Sequence, residues 1–393
     1  MSTQPHLPLA GYRIIDMTRV LSGPFCSMIL GDLGADVVKI EAPDGDPVRR
    51  QGAGREGLSW YFAGFNRNKR SVMLDLKTEE GRDALTSLIK GADALIENFR
   101  PGVLARMGFD EARLQAIRPG LVTCGISGFG ADGPYRDRPA FDFIAQAMSG
   151  FMATNGRPED PPLRSGVPVS DLVAGLYGAL GVTASLLRRE KTGDGDRVDV
   201  SLTTAMVSFL AYLASTYFAT GTVPPRSGND HPIAAPYGLF KTRDEEIAIA
   251  PPDDDFFGRL ADALGLPDLK RDPDFATGPM RVRHRARLNA LIEEKLMTES
   301  AAHWVAHLNA AGVPCGPVHG LEGVFADPQM QSQEMAIDVP HPGHGTVRMI
   351  GFPIKFANAP CRVRYPAPEL GQHNAEIFAE LGLPDRIGTK PRE

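Results

Sequence analysis

The chain has 393 residues, 42% of them apolar and 23% charged, with a formal net charge of −6. That length exceeds what one core usually sustains, so two domains are expected, and the apolar share is enough for their cores without disulfides. The mild acidity, with no long run of one sign, argues against nucleic acid as the main partner. It leaves short basic clusters such as Arg67, Lys69 and Arg70 as places for a phosphorylated small molecule.

The chain opens on MSTQPHLPLAGYR, which lacks the charge-then-apolar pattern of a signal peptide, and no apolar run reads as membrane-spanning. Four cysteines (Cys26, Cys124, Cys315, Cys361) lie far apart in apolar sequence and read as reduced packing residues. A soluble, cytoplasmic protein with no membrane partner is expected.

RIIDM (13–17) reads as a short strand, followed by turn chemistry in TRVLSGP and a helix from about Pro24 to Leu33. Gly34 ends that helix and ADVVKIE follows as a buried strand, which makes a βαβ unit with parallel strands. The alternation continues with a strand over 71–76, a helix over 78–90, a strand over 94–99, a helix over 110–117 and a strand over 121–127. This is an open, Rossmann-like α/β sheet, whose ligands bind beyond the carboxyl ends of the strands. The expected site loops are therefore 18–23, 42–68, 98–102 and 128–140.

Next comes VPVSDLVAGLYGALGVTASLL (167–187), a long apolar helix with one carboxylate, Asp171, at its head. Small residues at three- and four-residue spacings let another backbone approach it closely. On this stretch alone Asp171 reads as an N-cap, the commonest role for Asp at such a place. The competing reading is a partly dry carboxylate, pulled one way by the helix dipole and the other by desolvation. A strand (RVDVSL) and a helix over about 203–219 follow, and then the loop TGTVPPRSGNDHP marks a boundary. The large α/β domain spans 10–220 and a smaller α+β domain 225–320. The latter has strands YGLFKT and EIAIA and helices near 253–265, 280–297 and 299–311. The segment 321–393 returns to the large domain and carries a last amphipathic helix near 372–381.

Several motifs fail on inspection. GFGADG (128–133) fits a dinucleotide fingerprint but leads into PYRDRP rather than a helix. GISGF (125–129) has Phe129 where a nucleophile elbow needs Gly. His303 and His307 are four apart without a carboxylate ligand between them and read as a solvated face, so no metal is expected. Of nine histidines, His6 is in the leader and all the others follow the boundary loop, from His231 onward. The α/β domain thus lacks an imidazole to activate Ser or Cys, whereas a carboxylate is already ionised at neutral pH and needs no base.

Several longer stretches, taken in order, resemble one family. They are LSGPFCSMILGDLGADVVKIEAP, NRNKRSVMLDLKTEEG, ENFRPGVLARMGF, SGFGADGPYRDRPAFD, PVSDLVAGLYGALG, AGVPCGPV and PAPELGQH. The chain resembles the class III CoA-transferases of the CaiB/BaiF and formyl-CoA transferase type, to which α-methylacyl-CoA racemases are related. The resemblance implies that Asp171 is the nucleophile. It would attack an acyl-CoA thioester to give a mixed anhydride, pass through an aspartyl-CoA thioester, and deliver CoA to a free acid, with water kept out while the anhydride exists. It implies CoA and acyl-CoA as substrates, succinyl-CoA being a frequent donor in the family, and no permanently bound cofactor. It also implies an interlocked homodimer, with linkers near 220–235 and 320–340.

By the same resemblance Val20, Leu21 and Ser22 lie beside the thiol arm of CoA, while Leu74, Lys77, Asn98, Phe99 and Arg106 hold its adenine and phosphate portions. Arg136 and Arg138 read as phosphate or carboxylate contacts or as solvated loop charges, and Asp142 as an acidic residue that sets the geometry of the site. The chain departs from the family twice. Phe141 stands where the racemases carry a histidine, which favours transfer over proton exchange at an α-carbon. PPDDDFF (251–257) replaces a glycine-rich mobile segment, so a swinging lid is in doubt and a highly anionic acceptor is disfavoured. The alternatives are an acyl-CoA racemase or isomerase and a non-catalytic CoA-binding protein.

Overall fold

A computed structural model describes residues 7–55 and 57–384, so the leader residue His6 lies outside the described residues. The chain divides into two compact units. One comprises the chain up to Phe151, Arg164–Ser215 and the chain from Pro328, and the other comprises Met152–Leu163 and Thr216–Asp327. Residues 152–163 and 216–220, expected in the large domain, thus belong to the second unit, as does the stretch just after 320.

The first unit is built on six parallel strands: β1 (Arg13–Asp16), β2 (Asp36–Glu41), β3 (Lys69–Met73), β4 (Ala94–Glu97), β5 (Val122–Ser127) and β6 (Arg197–Ser201). Their order is β3-β2-β1-β4-β5-β6, the doubly wound order with its reversal between β1 and β4. Successive strand residues feed opposite faces. Ile14, Val37 and Ala94 enter the core beneath α1 (Ser22–Asp32), whereas Ile15, Val38 and Leu95 enter the core beneath α2 (Glu79–Lys90) and α3 (Glu111–Ile117). Thr78 and Asp110 cap α2 and α3 with their side chains, as their place before the apolar periods suggests.

On the α1 side lie α4 (Asp142–Met148) and the long helix α5 (Val169–Thr192), which ends at Gly193 in the left-handed region. Close approach of α5 to α1 depends on glycine. A Cβ on Gly175 would lie 2.5 Å from the Ser22 carbonyl oxygen. By length and composition α5 could cross a membrane, contrary to the sequence expectation, but half of its most apolar window is buried inside the fold against α1 and the sheet. The helix expected over 203–219 is two helices, α6 (Leu202–Ser208) and α7 (Ala211–Thr220), with Ala211 at φ +48°. No proline or glycine marks this break, so the periodicity could not reveal it. The C-terminal segment contributes a hairpin (Ala336–His341 with Gly345–Ile350) and α8 (Asn374–Glu380), whose Ile377 and Phe378 join the second core.

The basic cluster 67–70 is structural rather than a ligand site. Arg67 is clamped on Asp32, Lys69 on Asp16, and Arg70 on Asp36, Glu376 and Glu380, all with buried cationic side chains. Of the cysteines, Cys26 and Cys124 are buried, while Cys315 and Cys361 are half-buried, and none is in a disulfide.

The second unit has a three-stranded antiparallel sheet, Gly238–Lys241, Glu246–Ile249 and Cys315–Pro317, whose third strand the sequence reading missed. Asp253 caps the helix Asp254–Ala263, and buried Arg281 holds Asp254, so the acidic run begins a helix. His303 and His307 are exposed with stacked rings. Among the described residues no group of His, Cys, Asp and Glu is arranged to hold a metal ion.

Candidate active site

At the strand-order reversal of the first unit lies a cavity of about 560 Å³. Segments from all four expected loops line it: Arg19–Ser22 after β1, Pro47 and Gln51, Asn98–Pro101 after β4, and Gly128 with Arg136 and 138–141 after β5. Asp171 lies in its wall. The topology explains the convergence, because every parallel strand delivers its following loop to the same edge.

Asp171 is the third residue of α5 rather than its N-cap. The cap position is Pro168, which supplies no side-chain bond. Burial raises the Asp171 carboxyl first, the neighbouring Asp142 carboxylate raises it further, and a hydrogen bond with the Ser22 hydroxyl opposes them, leaving it at about 7. The group is therefore only partly ionised at neutral pH, not fully as the sequence suggested.

Asp142, on α4, does not line the cavity but organises its wall. Its Oδ1 accepts the backbone N–H of Ser170 at 2.9 Å and the Ser170 hydroxyl at 2.8 Å, and its Oδ2 accepts Gln146 Nε2 at 2.7 Å. It thereby fixes the turn that carries Asp171. Ser22 is buried at the first position of α1, and Val20 before it sits at φ +69°, a conformation a β-branched residue rarely takes. Asn98 clasps Arg19, accepting its N–H at 2.9 Å and donating to its carbonyl at 2.8 Å. The Arg19 guanidinium lies over the Phe99 ring at 5.7 Å.

Val20, Leu21, Ser22, Asn98, Phe99, Arg138, Phe141 and Asp171 thus meet at one cavity. Phe141 is 73% exposed. Arg138 lies over the Tyr135 ring at 3.7 Å, and Arg136 pairs with Asp137 at 3.6 Å. Leu74 is instead packed in the second core, and Lys77 and Arg106 are exposed outside the cavity lining. Sequence reasoning missed Ser170, Gln51, Arg19, Arg100 and Tyr61. Burial and the charges of Asp171 and Asp46 push the Tyr61 phenol up to about 12. The only signal for Gln51, Arg19, Arg100 and Tyr61 was their place in the strand-end loops, and for Ser170 its place beside Asp171.

The profile of CoA-transferase family III matches residues 9–374. The chain belongs to CoA-transferase family III. It is 38% identical to an acetyl-CoA:oxalate CoA-transferase of Acetobacter aceti and 36% identical to a succinate–glutarate CoA-transferase of Agrobacterium fabrum, each match covering 97% of this chain and 98% of the relative. The crystal structure of a CaiB/BaiF family protein from Brucella suis superposes with a TM-score of 0.86 at 40% identity, covering 96% of this chain and all of the other. This family III enzyme is a CoA-transferase. Its substrates are of the kind such enzymes use, CoA thioesters and carboxylates.

Proposed function

We propose that the enzyme moves CoA from an acyl-CoA donor to a free carboxylic acid with Asp171 as nucleophile. The observation that carries this reading is a carboxyl with no salt-bridged cation among the described residues, in the wall of a cavity with four arginines in its lining (Arg19, Arg100, Arg136 and Arg138). An Asp171 oxygen attacks the thioester carbonyl, the C–S bond breaks, and CoA leaves as thiolate. The thiolate then attacks the aspartyl carbonyl of the anhydride and expels the donor carboxylate, which leaves an aspartyl-CoA thioester. The acceptor carboxylate attacks that thioester and expels CoA as thiolate to give a second anhydride, and the thiolate attacks its acceptor carbonyl, which yields acceptor-CoA and frees Asp171 as carboxylate. No proton or water enters the sum, and each activated bond is exchanged for another.

Val20, Leu21 and Ser22 would lie beside the thiol arm of CoA, with Asn98, Phe99, Lys77, Arg106 and Arg138 toward its adenine and phosphate portions. Asp142 would act through the turn it fixes. The names of these relatives support dicarboxylates such as oxalate and glutarate as acceptors, and those of a succinyl-CoA–D-citramalate and a succinyl-CoA:glutarate CoA-transferase support succinyl-CoA as one donor. The exposed apolar side chains Leu176, Leu180 and Leu187 on α5, with Val207 on α6 and Phe209 just after it, support a second copy of this chain as partner. Light scattering tests that assembly.

The mechanism is tested by incubating enzyme, acyl-CoA and hydroxylamine and mapping adducts by mass spectrometry. A hydroxamate at Asp171 is expected. Normal CoA transfer by D171N, without deamidation, overturns the reading, and α-proton exchange in deuterated water with no transfer replaces it with a racemase.

A further inference from the structure

The backbone from Thr18 to Val20 is held at five consecutive polar groups, each by a side chain. Thr18 N–H donates to Asp16 at 2.8 Å, and the Thr18 carbonyl accepts Lys39 Nζ at 2.8 Å. Asn98 takes both Arg19 groups, and Val20 N–H donates to Asp46 Oδ1 at 3.2 Å. The far oxygen of Asp46 accepts Lys39 Nζ at 3.1 Å, and both of these side chains are shut off from water. A buried ion pair adds little to stability over an apolar pair of similar volume, so this one calls for another reason. Beside it stands a strained residue. Val20 at φ +69° would relax toward negative φ if released, and Val20, Leu21 and Ser22 would then move away from Asp171.

We propose that the Lys39–Asp46 pair is a positioning device for CoA transfer, which holds Val20 in the left-handed conformation and so sets the Val20–Ser22 wall against Asp171. The inference rests on the proposed function for its kinetic readout. Asp46 Oδ1 also accepts Val48 N–H at 3.2 Å, an ordinary cap of the turn that follows. A cap alone would have no energetic link to Val20, whereas a device that opposes its strain must.

The test is a double-mutant cycle on the full-length enzyme, comparing wild type, D46A, V20G and V20G/D46A. Glycine takes φ +69° without steric cost, so the device has nothing to oppose once Val20 is replaced. D46A is expected to lower kcat about 30-fold in the wild-type background, as a displaced site wall does, and less than about threefold in the V20G background. Equal losses in the two backgrounds, or a D46A kcat within twofold of wild type, overturn the proposal. If D46A does not fold, D46N serves, because it keeps the acceptor for Val20 and drops the charge facing Lys39. A smaller loss, again confined to the wild-type background, is expected. Affinity for CoA, measured by calorimetry on the same four proteins, separates the two claims. If wild type transfers no CoA, the functional reading falls and the device is judged on binding alone. A D46A weakening that disappears in V20G supports it, and one that persists overturns it.

Discussion

Two aspartates of the first unit stand in contrast. Asp16 is fully buried, and burial by itself would raise its carboxyl. The charges of Lys69 and Lys39, with hydrogen bonds from Ser27 and Thr18, outweigh that and hold it at about 2. Asp171 is less buried yet stands at about 7, because burial raises it, the Asp142 carboxylate raises it further, and the hydrogen bond with Ser22 offsets only part of that. Burial depth alone does not fix the charge state of a carboxylate; the charges and hydrogen bonds around it do. The same rule sorts the basic residues. Arg67, Lys69 and Arg70 are matched by acids and hold the sheet edge together, while Arg19 and Arg100 line the cavity with no acid salt-bridged to them among the described residues.

The contrast breaks most visibly at Asp171 itself. D171N is expected to lower CoA transfer by at least about a thousandfold, the scale for loss of a nucleophile, measured by exchange of labelled CoA between acids. At Asp16 the effect falls on stability. D16N leaves Lys69 buried without its anion and is expected to cost about 3–5 kcal/mol in urea unfolding. Asp16 is depressed below its unfolded value, so its contribution is present above about pH 4 and is lost as pH falls toward 2.

The pH–rate profile sharpens the comparison. With Asp171 at about 7, kcat/KM for the donor is expected to fall about tenfold per pH unit on the acid side and to level off above. D142N removes a raising charge and shifts that limb to lower pH, whereas S22A removes a lowering bond and shifts it higher.

A raised carboxyl has the opposite linkage to Asp16. Its charge is tolerated less in the fold than in the unfolded chain, so Asp171 costs stability as pH rises from about 4 through 7. D171N is thus expected to gain on the order of 2 kcal/mol at pH 8, discounted for partial exposure, and nothing at pH 4, read from thermal melts. Smallest are the exposed cations outside the cavity. K77A and R106A are expected to raise KM for acyl-CoA about three- to tenfold, with kcat and melting temperature unchanged.

The strand and helix alternation up to Ser127 was legible in outline, because most of the strands are apolar runs and α2 and α3 carry their caps, but β3 is Lys69–Met73 rather than 71–76, since its first two residues are cations matched by distant acids. Parallel strands then oblige the site loops to gather at one edge, so the neighbourhood of the site was legible too. The family motifs singled out Asp171 by position. What the linear order could not reveal was pairing across distance. That Lys39, inside an apolar strand, neutralises Asp46, that Asp142 grips Ser170, and that Arg67 meets Asp32 are facts of three dimensions. Local propensity and periodicity report how a segment folds against itself, whereas the charge state of a side chain depends on which distant groups displace its water, and only the tertiary structure decides that.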